Sequence, residues 1–164
     1  MSTGLLAFTL FHTALSLIQL VSGIVVVFAL MGSRDGGTWM PVYLASGIAT
    51  SATGLMFPFH GFLPSHAFSI LSLVLFAVII LARYRFHLVG VWRWIFVSSL
   101  VLTVYLDAFV GVFQAFLKIP SLHALAPTNS EPPFAIAQGI VLVLFIAFGV
   151  IASRSYHPTT ARMA

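Results

Sequence analysis

Five apolar runs divide this chain almost from end to end, and each is at or near the length that a bilayer demands. Residues 5–31, 40–57, 66–82 and 134–151 contain no Asp, Glu, Lys or Arg, and 91–117 contains only Arg93 and Asp107. A helix rises about 1.5 Å per residue, so about 20 apolar residues cross a hydrocarbon core ~30 Å thick. Only 6% of the residues are charged. A soluble domain carries roughly 25%, so this chain could not clothe a water-facing surface. The expected fold is all-α: a polytopic integral membrane protein with five transmembrane helices in one bundle, and one membrane domain over 1–164.

The breaks between runs are chemically explicit. Gly32, Ser33, Arg34, Asp35, Gly36 and Gly37 end the first run. Pro58 and Pro64 flank a short link between the second and third, and Pro41 is tolerated in a first helical turn. Arg83 to His87 cap the third helix, and Gly90 turns the chain. The stretch 118–133 carries Pro120, Pro127, Pro132 and Pro133 and reads as a stiffened loop. Helices 1 and 4 exceed a minimal span and should tilt. Helices 2 and 3 are short enough for a re-entrant hairpin, but each can cross, and two spans are the favoured reading. The first run lacks a positively charged leader and a small-residue cleavage site, so it is expected to remain as a helix.

Basic residues orient the bundle. Arg34, Arg83, Arg85, Arg93, Arg154 and Arg162 fall on one side of five alternating spans, and Lys118 alone falls on the other. The positive-inside rule puts the first group in the cytoplasm, the N-terminus outside and the C-terminus inside. Trp39, Trp92 and Trp94 then share the cytoplasmic interface. The net charge of +4 is scattered at helix ends without a basic stripe, which argues against nucleic acid as a partner. The absence of cysteine excludes disulfides and thiolate chemistry.

Polar groups within spans are the candidate chemistry. On helix 4, Ser99, Thr103, Asp107, Gly111, Gln114 and Lys118 recur at steps of three and four and so share a face. Asp107 is the one acidic residue inside a span. His12, Ser16, Gln19 and Gly23 form a matching stripe on helix 1, and Gln138 lies early in helix 5. These groups converge on the extracytoplasmic half. They predict a polar pocket open to that side, with His12, Gln19, Asp107, Gln114, Lys118, Glu131 and Gln138 as ligand-binding candidates. Neutral His12 can donate one hydrogen bond and accept another, which makes it the named partner for Asp107, directly or through a bridging water or ligand. Glu131 could pair with Lys118 across the fourth loop. On helix 2, Gly47, Ser51 and Gly54 should let a neighbouring helix approach closely.

A metal-dependent membrane enzyme is the alternative. His60, His66 and His123 are nitrogen ligands on one side of the membrane, with Glu131 nearby in sequence, and zinc or copper accepts such a set. No HExxH pattern accompanies them. Haem would need two histidines facing at similar depth, and His12 alone is clearly within the membrane. No nucleophile-elbow motif supports a serine hydrolase. The identity of any cofactor is open. A third reading is an accessory subunit that packs on a larger membrane complex through its phenylalanines. Beyond the lipid bilayer, the partners expected are therefore a second copy or such a complex.

Several segments carry a resemblance: Phe57-Pro58-Phe59-His60-Gly61, Trp92-Arg93-Trp94, Gln114 to Lys118 with Pro120, and Ala126-Pro127-Thr128 through Ser130-Glu131-Pro132-Pro133-Phe134 to Gln138. Together they resemble a group of five-helix bacterial inner-membrane proteins with no established activity. The resemblance implies a bacterial inner-membrane protein and points to His60, Gln114, Lys118, Glu131 and Gln138, without implying a reaction.

Overall fold

The computed structural model describes residues 3–57 and 64–158. Among them the regular structure is helical throughout. The helices are α1 (Thr3–Met31), α2 (Trp39–Leu55), α3 (Pro64–Ile80), α4 (Val91–Lys118), a short α5 (Pro120–Leu125) and α6 (Pro132–Ser155). A π-helical turn, Leu81–Arg85, continues α3. Four segments are long and apolar enough to cross a membrane: Thr3–Met31, His66–Arg85, Val91–Lys118 and Pro132–Ser155. Helix α2 has 17 residues, about 25 Å at the usual rise, and is the short member.

Local chemistry explains where the boundaries depart from expectation. Helix α2 stops at Leu55 because Pro58 disfavours helical backbone at Phe57. Prolines open three helices. Pro64, Pro120 and Pro132 each occupy a first helical position, where the missing N–H has no intrahelical partner to lose. The stretch 118–133 therefore holds a helix, α5, where the sequence reads as loop. Ile119 is extended and Pro120 restarts the helix at once. At the other end, α6 runs four residues past 151, carrying Ser153 and Arg154 into its last turn.

The long helices close into a ring in which α2 packs between α1 and α3, and α6 between α1 and α4; α1 and α4 also touch across the middle. Contacts fix the directions. His12 meets Thr53 while Gly23 meets Tyr43, so α2 runs antiparallel to α1. Gly47 meets Phe76 while Gly54 meets Ser69, so α3 is antiparallel to α2. Glycine makes these approaches possible. A Cβ on Gly47 would lie 2.1 Å from Phe76 Cζ, and one on Gly23 would lie 2.7 Å from Val104 Cγ2. The predicted small-residue stripe is thus used: Gly47, Ser51 and Gly54 are all buried.

The apolar core is not centred along the bundle. Its fully buried members, among them Val26, Leu30, Met40, Ile79, Phe96 and Tyr156, gather toward the end that carries the arginines. That end is also tied together by polar bonds. The Tyr156 hydroxyl donates to Asp35 on the α1–α2 turn. The His157 amide donates to Ser33 Oγ at 3.1 Å. Arg93 Nη1 donates to the Ser153 and Tyr156 carbonyls at 2.8 and 2.7 Å, capping the α6 C-terminus with a cation.

Candidate functional site

The opposite half of the bundle, toward the proline-rich end, holds most of the polar candidates. Asp107 is partly buried on α4, and its Oδ2 is shielded with no hydrogen-bond partner among the described residues. One turn away, Thr103 is fully buried and shares a hydrogen bond with the Tyr43 hydroxyl of α2. Thr103 also donates to its own helix, at 3.0 Å from Ser99 O and 2.9 Å from Leu100 O, the usual way a mid-helix threonine is satisfied. Asp107 lies within electrostatic reach of Tyr43. The polar stripe of α4 emerges from the core along its length: Ser99 and Thr103 are buried, Asp107 and Gln114 are intermediate, and Gly111 and Lys118 are exposed. A Cβ on Gly111 would meet nothing within 4 Å.

His12 does not take the partner expected of it. Its Nδ1 is 2.8 Å from Thr53 Oγ1 on α2, and its ring meets Phe57 edge-on at 5.1 Å between centroids. With the Thr53 proton on the Ala49 carbonyl at 2.7 Å, His12 Nδ1–H is the donor and Nε2 remains an acceptor. The reason is depth. Gly23 lies level with Val104, so one turn toward the proline-rich end brings Gln19 opposite Asp107, whereas His12 sits about two turns farther on. Lys118 is the charge that acts on His12.

Gln19 is buried, and its Oε1 has no hydrogen-bond partner among the described residues. Gln138 is buried too; its Nε2 donates to the Phe109 carbonyl at 3.0 Å and its Oε1 has no partner among the described residues. Thr50, on α2, has a buried hydroxyl without a partner among them. Side-chain oxygens on four different helices are thus buried and unmatched: Gln19 Oε1, Thr50 Oγ1, Asp107 Oδ2 and Gln138 Oε1. Three are acceptors in any neutral or ionised form that leaves them bare, and burying such groups is unfavourable without a donor. Chemically, each such oxygen suits a donor: water, a proton or a small cation.

Glu131 does not pair with Lys118. Its carboxylate accepts from the Thr128 hydroxyl at 2.9 Å, and from the Thr128 and Ser130 amides at 3.2 and 3.1 Å. This closes a local turn ahead of α6. Slight desolvation pushes the carboxyl up. Hydrogen bonds from its own backbone, Thr128 and Ser130 outweigh that and hold it below the usual glutamate range. Local geometry wins because the turn places donors within three residues, whereas Lys118 sits across the loop on an exposed helix end.

The metal candidates are described only in part. His60 lies outside the described residues. His66 is buried near the start of α3, and His123 is exposed on α5. Among the described residues no group of three or more His, Cys, Asp or Glu could hold a metal ion.

The arginine-rich end holds an arrangement beyond the topology signal that its sequence carries. Tyr156 is fully buried, donates to Asp35 and lies beside Arg83. Burial pushes its hydroxyl pKa up, and the Asp35 carboxylate adds to that, while Arg83 opposes it. Arg83 also rests 5.8 Å from the Phe96 ring centroid, a cation–π distance. The available sequence signal was a lone acid, Asp35, in an arginine-rich set, but its partner is more than a hundred residues away. No protein-family model, curated protein or solved structure matches this chain.

Proposed function

We propose that this chain is a five-span bacterial inner-membrane protein that binds a small cationic or donor-rich solute, the proton included, in its extracytoplasmic half. The observation that carries the reading is Asp107: a shielded carboxylate oxygen without a donor among the described residues, one turn from the buried Tyr43–Thr103 pair. A carboxylate inside a span is costly and is functional by default. Gln19, at the same depth, and Gln138 supply further bare acceptors.

The five-span topology is supported by α2, which runs antiparallel between α1 and α3, and by the sorting of charge. Arg34, Arg83, Arg85, Arg93 and Arg154 lie toward one end and Lys118 toward the other. In this reading the N-terminus is periplasmic and the C-terminus cytoplasmic. A reporter fused at the C-terminus should behave as cytoplasmic, and a periplasmic signal would overturn the topology.

Binding is tested with purified full-length chain. Methylammonium, guanidinium and potassium salts, matched in ionic strength, are each titrated while the unfolding temperature is followed. At least one cation should raise that temperature in the wild type and fail to do so in Asp107→Asn. Equal responses in both proteins would remove Asp107 from the site.

A further inference from the structure

Two clefts lie at the arginine-rich end, and Trp94 lines both. The first, ≈ 640 Å³, is a groove between α4 and α6, lined by residues such as Val101, Tyr105, Phe145 and Gly149 and edged by Arg154. The second, ≈ 590 Å³, lies beside it and is lined by Gly90, Arg93, Trp94 and His157 among others. We infer that together they form a binding site for one anionic phospholipid of the leaflet at that end, with an acyl chain in the α4–α6 groove and the phosphate between Arg93 and Arg154.

Dimensions and charge both fit. From Trp94 to Tyr105 the groove follows α4 for about 16 Å at helical rise, close to the ~15 Å of one leaflet's hydrocarbon. Its walls are apolar and aromatic, and at Gly149 the floor is bare backbone, where a Cβ would be in ordinary contact with Val101 at 3.5 Å. The mouth is cationic. Arg93 stacks 4.5 Å from the Trp94 ring centroid and spends Nη1 on two carbonyls of the α6 end. A guanidinium has five N–H donors, so Nη2 and Nε remain for a phosphate oxygen. Arg154 is exposed on the rim, and among the described residues no hydrogen bond or ion pair holds it elsewhere. Asp35, the acid of this end, is engaged by Tyr156 and lines neither cleft. A second copy of the chain would bring another arginine-edged face to the same rim, which like-charge repulsion disfavours. An anionic headgroup on a single chain meets no such conflict.

Native mass spectrometry of the full chain in neutral detergent tests this, with dioleoyl phosphatidylglycerol and dioleoyl phosphatidylcholine as competing probes. Each arginine near an anionic headgroup is worth about fivefold. The wild type should then retain one phosphatidylglycerol about 25-fold over phosphatidylcholine, and Arg154→Gln should reduce this to about fivefold. Gly149→Phe fills the groove and should abolish retention of both lipids. Leu102→Trp, at an exposed position on the groove wall, is the second blocking variant should Gly149→Phe fail to fold. Equal retention of the two lipids by the wild type overturns the inference. So does an unchanged preference in Arg154→Gln, or retention by a folded groove-filled variant. A lipid-free dimer that Gly149→Phe splits into monomers would assign the groove to a second copy and likewise overturn it.

Discussion

The two ends of this bundle solve the same problem in opposite ways. Toward the arginines, the helices enclose a dense core, and most polar groups among them are matched, Tyr156 with Asp35, Arg93 with two helix-end carbonyls and Tyr43 with Thr103, whereas the buried Arg83 Nη1 has no hydrogen-bond partner among the described residues. Toward the prolines, the core thins, Gly111 and Gly139 face open space, and buried oxygens on four helices have no hydrogen-bond donor among the described residues. Polar satisfaction in the first half marks groups whose role is to hold helices together. Its lack in the second leaves groups whose burial costs folding energy, and the proposed site rests on them.

The largest expected effect contrasts glycines. Gly47→Leu forces a side chain into the Phe76 ring, and over-packing of this kind should cost about 3 kcal/mol or abolish folding. Gly111→Leu enters open space and should change stability by less than about 0.5 kcal/mol. Denaturant unfolding in mixed micelles measures both, and similar losses would erase the distinction between the halves.

Next comes Tyr156→Phe, which strips Asp35 of its donor and should cost about 2 kcal/mol, the range for a hydrogen bond to a charged group. The pH dependence has a definite sign. The folded state raises the Tyr156 pKa, so its contribution is whole below the ordinary tyrosine value of about 10 and is lost as the pH rises above it. Wild-type protein should therefore lose stability in alkali faster than Tyr156→Phe. Parallel curves would show that the hydroxyl contributes nothing.

Asp107→Leu should be nearly neutral, within about 1 kcal/mol, or stabilising, because it removes a buried group whose Oδ2 has no donor. A loss above about 2 kcal/mol would instead make Asp107 a structural residue like Tyr156. The smallest effect belongs to Glu131→Gln. Here the folded pKa is lowered, so the contribution is present above the ordinary glutamate value and is lost as the pH falls. Faster hydrogen exchange at the Thr128 and Ser130 amides should report it, in the variant at neutral pH and in the wild type in acid. Unchanged exchange would detach Glu131 from the turn.

Much of this was legible in the sequence because membrane helices are specified locally. The apolar runs located α1, α3, α4 and α6, and the spacing of Gly47, Ser51 and Gly54 marked a close-packed face. Helical period also identified the α4 stripe. What stayed hidden depends on depth and on distant partners. His12 and Asp107 look equivalent as polar intruders, and only the helix register separates them by two turns. The Tyr156–Asp35 bond joins the end of α6 to the α1–α2 turn, which no local pattern relates. In 118–133 the prolines read as stiffening a loop, whereas Pro120 and Pro132 start helices.

The π turn at Leu81–Arg85 gives the chain an unusual tolerance. Such a turn is an α-helix with one residue too many, closed here by the Phe86 amide bonding Leu81 O five residues back. Deleting a residue within a packed helix ordinarily rotates everything beyond it by about 100° and destroys the fold. Deleting one from this turn would let the segment relax to ordinary helix while Phe76 and Ile79 keep their seats in the core. The change would be felt at the end of the element, where Arg83 would swing away from Phe96 and Tyr156. This segment is therefore the place where the chain's length can drift by one residue at the expense of a single cation's address.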